Sequence, residues 1–198
     1  MSECTDHALR VLIADDETLI RLDLRSLLES AGMTVVAEAR DGQEAIELAA
    51  SSTPDAIVMD VKMPRCDGID AAQQITATRP VPIVMVTAYG EADLARRAAE
   101  AGAFGYLVKP FRAEDLLPAL ATARVRHAEL QALREEARTL AEALESRKTI
   151  ERAKGLLMAH HGINENDAYG RIRRASQKTG KPMLTIAQAL IATLEGDA

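Results

Sequence analysis

The first half of the chain alternates between short continuous apolar runs and longer stretches with helical spacing. The runs are RVLIA (Arg10–Ala14), TVVAEA (Thr34–Ala39), DAIVMD (Asp55–Asp60), PIVMVTA (Pro82–Ala88) and GYLVKP (Gly105–Pro110). Between them, ETLIRLDLRSLLESAG (Glu17–Gly32), GQEAIELAAS (Gly42–Ser51), GIDAAQQITATR (Gly68–Arg79) and EADLARRAAEAGA (Glu91–Ala103) repeat apolar residues every three or four positions. A run without alternation predicts a strand buried on both faces, and an amphipathic stretch predicts a helix that covers one face. Five such units in about 120 residues predict a doubly wound α/β domain with a five-stranded parallel sheet.

The pattern changes at Ala113. From there to Gly155 the chain has no glycine, and its one proline is Pro118. If helical throughout, Ala113 to Lys154 would be about 60 Å long. Leu116, Leu120, Ala123, His127 and Leu130 step by four and three, and Leu133, Ala137, Leu140, Leu144 and Arg147 do so again after one slip. This is a heptad seam with a stammer, which predicts a coiled coil. The alternative is a last helix packed on the α/β domain that continues as a solvent-bridging helix. Two further helices are expected at Asn164–Gly180, between a capping residue and a glycine, and at Leu184–Gly196. With the end of the long helix they make a three-helix unit. The expected organisation is an α/β domain over 8–123, a connecting helix over 113–146, and a helical domain over 141–196.

Composition adds a location and a charge asymmetry. No stretch approaches the roughly 20 apolar residues that cross a bilayer, so no membrane association is expected. MSECTDHALR carries no apolar signal region. Two cysteines, Cys4 and Cys66, make no disulfide framework, so the expected setting is the reducing cytoplasm. Cys66 has no basic neighbour beyond Arg65 and reads as a bystander thiol rather than a redox sensor. Of the net charge of −6, residues 147–198 carry +4 and the remainder −10. An acidic front and a basic tail suggest two jobs and permit a polyanionic partner for the tail.

Candidate chemistry gathers where parallel strands end. In a flavodoxin-like sheet, ligands meet the carboxyl ends of the strands. The first strand ends in Asp15-Asp16, the third in Asp60, the fourth in Thr87 and the fifth in Lys109. Converging carboxylates repel one another, and a hard divalent cation such as Mg²⁺ relieves the repulsion. Cation, ammonium and hydroxyl around one carboxylate would stabilise an aspartyl phosphate, which makes Asp60 a candidate nucleophile for a phosphoryl group. Each residue also has an ordinary reading. Asp15-Asp16 could cap the following helix, Lys109 could be a surface lysine, and Thr87 could be a strand-favouring residue.

The stretches ADDE, VMDVKMPRCDG, VTA and YLVKPF resemble the motifs of two-component response-regulator receiver domains, over Arg10 to about Ala123. The resemblance implies that the phosphohistidine of a sensor histidine kinase donates to Asp60. It implies Mg²⁺ held by Asp15, Asp16, Asp60 and the backbone carbonyl of Lys62. It also implies that Thr87 follows the phosphoryl group and that Tyr106 is an aromatic switch, with a plain strand aromatic as the lesser alternative. Such a domain catalyses only its own phosphorylation and dephosphorylation and is not an enzyme acting on a separate metabolite.

The tail, through ERAKGLLM, HGINENDAY, RIRRAS and LTIAQAL, resembles the ANTAR domain, the RNA-binding output of transcription antiterminators. Receiver and tail joined by a long helix are similar to an actinobacterial type of antiterminator that seizes RNA hairpins. Arg147, Lys148, Arg152 and Lys154 on one helix, and Arg171, Arg173 and Arg174 on the next, are candidate phosphate contacts. Tyr169 could stack on an unpaired base or sit half-buried in the core. Ser176 and Gln177 depart from the small apolar residues expected there. Phosphorylation would act through the long helix, by homodimerisation or by release of the tail. The competing reading is an adaptor whose helical tail binds a protein; DNA ranks lower, because no helix-turn-helix pattern is visible.

Overall fold

The computed structural model describes residues 8–88 and 92–196. Cys4 and the expected helix start at Glu91 lie outside them. The chain divides at Gln131/Ala132 into two compact units.

In the first unit, β1 (Arg10–Ala14), β2 (Thr34–Ala39), β3 (Ala56–Asp60), β4 (Ile83–Thr87) and β5 (Gly105–Val108) form one parallel sheet in the order β2-β1-β3-β4-β5. The central runs are buried because both sheet faces are covered. Successive side chains point to opposite faces, so each strand feeds two cores. Leu12, Ile57, Met59, Ile83 and Met85 pack with residues of α2 (Gly42–Ser52), α3 (Gly68–Thr78) and α4 (Ala92–Glu100). Val11, Ile13, Val58, Val84 and Val86 pack with Leu24 and Leu28 of α1 (Thr18–Ser30) and Leu116, Leu120 and Ala123 of α5 (Ala113–His161). The parallel, doubly wound sheet expected from the hydrophobic pattern is the one observed.

Local signals set the helix starts that matter for the site. Asp41 caps α2 by accepting the Glu44 N–H at 2.9 Å, and Asp67 caps α3 by accepting the Asp70 N–H at 2.8 Å. Helix α1 has Glu17 at its N-cap with no side-chain cap. Asp15 Oδ1 accepts the Glu17 N–H at 2.9 Å, so the Asp15-Asp16 pair meets the entrance of the helix without supplying its N-cap residue.

Helix α5 is continuous over 49 residues, with Pro118 in its second turn. The heptad reading needs a correction over its first part. Leu116, Leu120 and Ala123 are core residues against the sheet, and His127 packs edge-on against Phe104 with ring centroids 5.4 Å apart. They pack on the first unit's own core and are not available as a coiled-coil seam. The slip after Leu130 falls where the first unit ends. Beyond it, Leu133, Leu140 and Leu144 are exposed.

In the second unit the end of α5 meets α6 (Glu165–Thr179) and α7 (Met183–Gly196). Ala153, Leu157, Ala168, Ile172 and Ala187 are the buried centre, ringed by residues that include Ile150, Met183, Ile186 and Leu190. Asn164 caps α6 through the Asp167 N–H at 2.9 Å, and Gly180 ends it with φ 68°. Ser176 donates its hydroxyl to the Lys181 carbonyl at 2.6 Å. That bond closes the α6–α7 turn and accounts for a polar residue at this position.

Candidate functional site

The parallel register brings the carboxyl ends of β1, β3, β4 and β5 to one edge. Asp60 is the last residue of β3, paired with Val86, and Thr87 ends β4 opposite Val108. Asp15, Asp60 and Thr87 are buried. The Lys109 ammonium lies between two carboxylates, 2.6 Å from Asp15 Oδ2 and 3.2 Å from Asp60 Oδ1. Its backbone N–H donates to the Thr87 carbonyl at 2.7 Å, which ties the ends of β4 and β5 together. The Lys109–Pro110 peptide is cis.

The electrostatics follow from one half-buried cation among several acids. Burial pushes the Asp60 carboxyl above its ordinary value. Lys109 pulls it down, and Asp15 and Asp16 push it up again, with a net rise. Burial disfavours the Lys109 ammonium, but its hydrogen bond to Asp15 and the attraction of Asp60 outweigh that and raise its pKa. Protonation is thus favoured at both Asp60 and Lys109, as expected for a site with excess negative charge.

Asp16 is exposed beside Asp15, and the described residues contain no cluster of three acidic or soft ligands already preformed for a metal. Asp16 nonetheless lies close enough to push the Asp60 carboxyl up. The donors still fit Mg²⁺. They are all oxygens, two buried carboxylates carry more charge than Lys109 offsets, and Mg²⁺ is ordinarily held by one or two carboxylates with water completing its shell. Lys62 is exposed in the loop after β3, directly after Val61, whose carbonyl accepts the Gly68 N–H at 2.8 Å. Tyr106 is half-buried on β5 and packs on the α2–α3 side of the core.

Residue-by-residue reading of the sequence missed the groups that hold this edge together. A Cβ on Gly68 would come within 1.9 Å of the Asp60 carbonyl, and one on Gly42 within 2.4 Å of the Cys66 carbonyl. Only glycine lets α3 and α2 start so close to the end of β3 and the loop after it. The signal was present as Asp67-Gly68 and Asp41-Gly42, an N-cap followed by glycine at each helix start. Two arginines, Arg21 and Arg65, also bind this edge, and nothing in local spacing marked them.

In the second unit the candidate cations separate into groups. Arg147, Arg171, Arg173 and Arg174 are exposed and make no ion pair among the described residues. Lys148 pairs with Glu145 at 2.7 Å and Arg152 with Glu195 at 2.5 Å. Lys154 does not belong with the surface cations: it is buried, and its ammonium binds Glu151 at 2.9 Å and Glu165 at 2.7 Å. Hydrogen bonds to Glu165 and then Glu151 raise its pKa. Tyr169 is 44% exposed and lies outside the helical core, so the half-buried core reading of that ring is not met. The Arg174 guanidinium lies over Gly170, where a Cβ would be 3.2 Å away. Around Gly155 a Cβ would meet nothing.

Comparison with known proteins gives a consistent result. Residues 11–121 match the response regulator receiver domain family, and residues 138–191 match the ANTAR domain family. The chain is 52% identical to the transcriptional regulatory protein PdtaR of Mycobacterium tuberculosis H37Rv over 185 residues, covering 93% of this chain and 90% of that one. Its fold is similar to the signal receiver domain of the putative response regulator NarL of M. tuberculosis (TM-score 0.55, 31% identity, 58% of this chain and 94% of that chain). It is also similar to a chain in the CheX–CheY–BeF3–Mg complex of Borrelia burgdorferi (TM-score 0.55, 27% identity, 56% of this chain and 85% of that chain).

Proposed function

The chain belongs to the response-regulator family, a receiver domain followed by an ANTAR domain, and on that premise we propose that it is a phosphorylation-gated, RNA-binding regulator of transcription antitermination. The observation that carries the reading is the buried Asp60 carboxylate at the end of β3, with the Lys109 ammonium 3.2 Å away. An Asp60 oxygen attacks the phosphorus of a sensor kinase's phosphohistidine. The P–N bond breaks, and the imidazole leaves with its electron pair and takes a proton. Asp15, Asp16, Asp60 and the Lys62 carbonyl would hold Mg²⁺, which supplies positive charge against the transferring phosphoryl oxygens. Lys109 holds a second positive charge at the same oxygens. Thr87 and Tyr106, on adjacent strands, are the pair through which occupancy of Asp60 would reach the outer face of β4 and β5. Water later cleaves the acyl phosphate, and no separate metabolite is turned over.

The output is assigned to the helical unit. Arg147, Arg171, Arg173 and Arg174, with Lys148 and Arg152 beside them, are the candidate contacts to RNA phosphates, and Tyr169 is the candidate stacking ring. The exposed Leu133, Leu140 and Leu144 favour self-association of α5 as the coupling step. The deciding experiment titrates the full chain against a paired-hairpin RNA, with and without Mg²⁺ and beryllofluoride, at several salt concentrations. Binding that tightens with beryllofluoride and weakens steeply with salt is the expected result. No binding in either state at low salt would overturn the RNA assignment and favour a protein-binding adaptor.

A further inference from the structure

Edge strand β2 and the turn into α2 supply none of the residues assigned to the acceptor site. Both loops that carry its oxygen donors are nevertheless tied to that edge. The β1–α1 loop is held by Arg21. One Arg21 nitrogen donates to the Asp15 carbonyl at 2.7 Å and to the Asp16 carbonyl at 3.3 Å, and another to the Thr18 hydroxyl at 3.2 Å. Its Nε lies 3.6 Å from Glu38 near the end of β2. The side chain is only 14% exposed, so the guanidinium fork is spent on this loop rather than on solvent. Glu38 is itself steadied by Arg25, whose Nε donates to it at 2.6 Å. A ladder bond from the Asp15 N–H to the Ala39 carbonyl, 3.1 Å, joins the same two segments.

The β3–α3 loop is held by Arg65. Its guanidinium pairs with the buried carboxylate of Asp41, which also caps α2. Arg65 adopts φ 66°, the left-handed region that a residue with a side chain rarely enters without compensation. The compensation is visible: the ion pair and the close seat of the Cys66 backbone against Gly42 fix the loop in that conformation. This loop carries Lys62, and it leads directly from Asp60.

We infer that the β2–α2 edge is the anchor of the acceptor site, and that Arg21 and Arg65 are positioning residues that hold its two donor loops for the divalent cation. The inference rests on the reading of Asp15, Asp16, Asp60 and Lys62 as the cation's ligands. Outer groups that orient ligands are worth about 10- to 100-fold in metal affinity. Arg21 acts through loop carbonyls and Arg65 through the Asp41 carboxylate, neither on a ligand side chain, so about tenfold per residue is the expected size.

The test measures Mg²⁺ affinity of the full chain by calorimetry, alongside its melting temperature, for Arg65→Asn, Arg65→Lys, Arg21→Gln and Arg21→Lys. Asparagine tolerates the left-handed backbone, so Arg65→Asn removes the ion pair without adding strain. The expected result is Mg²⁺ binding weakened about tenfold in Arg65→Asn and Arg21→Gln, with substantial recovery in the two lysine variants and a melting temperature close to the parent. Unchanged Mg²⁺ affinity in Arg65→Asn and Arg21→Gln, whatever happens to the melting temperature, overturns the inference. If Arg21→Gln does not fold, Arg65→Asn and the lysine variants decide. Absence of Mg²⁺ binding by the parent chain would instead overturn the reading of the site itself.

Discussion

Each compact unit sets one largely covered lysine among carboxylates, and the two lysines sit in different surroundings. Lys109 stands between Asp15 and Asp60, whose side chains are 1% and 8% exposed, so both signs of charge are out of water. Lys154 has an 8% exposed side chain, but its partners Glu151 and Glu165 are 56% and 68% exposed. There the aliphatic stem is buried and the charges meet at the surface, which is how a long cation contributes packing at little electrostatic cost. Desolvating one partner makes a staple between α5 and α6. Desolvating all three groups at strand ends keeps a carboxylate strained toward protonation and in need of positive charge. The difference separates a lysine that serves the fold from one that, in the function proposed above, serves phosphoryl transfer.

The comparison breaks most sharply at the acceptor. Asp60→Asn should abolish labelling by a small phosphodonor while the circular dichroism spectrum stays native; retained labelling would refute the site. Lys109→Ala should slow labelling by about 100-fold, the size expected for loss of one preorganised positive group. Lys154→Met, with a similar stem volume, should leave the labelling rate at the parent level and lower the melting temperature by a few degrees. A labelling defect in Lys154→Met would erase the distinction between the two lysines.

How much of this was legible in the sequence differs between the units for the same reason. Continuous apolar runs such as Ala56–Met59 dictated buried parallel strands, and strand ends dictated convergence, so Asp15, Asp60, Thr87 and Lys109 could be gathered from spacing alone. The long helix was legible as a helix but not in its partners. Leu116 and Leu133 carry the same heptad signal, yet one is core and the other exposed, because periodicity reports a face and not what covers it. The burial of Lys154 was hidden because a lysine at helical spacing reads as surface until α6 brings Glu165 beside it. Arg65 was invisible because its partner Asp41 is distant in sequence, and Arg21 because it binds nearby loop carbonyls, which leave no mark in side-chain spacing, and Glu38, which only the sheet brings close.

The helical unit can be tested by salt. Replacing Arg171, Arg173 and Arg174 together with glutamine should flatten the salt dependence of RNA binding by about two to three in log–log slope, if each meets a phosphate. Lys154→Met should leave that slope unchanged, since its charge is already held by two glutamates. A fall of about one in slope for Lys154→Met would return Lys154 to the phosphate contacts.

The smallest expected effect is the most specific to the buried acceptor. The folded-state pKa of Asp60 lies above its ordinary value of 3.8, chiefly through burial. The folded chain therefore holds this proton more tightly than the unfolded chain, so stability falls as pH rises from 3.8 to the raised value and does not change further above it. Asp60→Asn lacks that loss. In metal-free buffer the asparagine variant should melt above the parent at neutral pH, and the gap should close as pH falls through the raised value and below 3.8, where the carboxyl is protonated in folded and unfolded chains alike. Other carboxylates titrate in both proteins and cancel in the difference. A gap that widened on acidification would mean that Lys109, not burial, dominates at Asp60. Adding Mg²⁺ at neutral pH should shrink the gap by stabilising the parent, because a bound cation offsets the carboxylate's cost in the folded state alone.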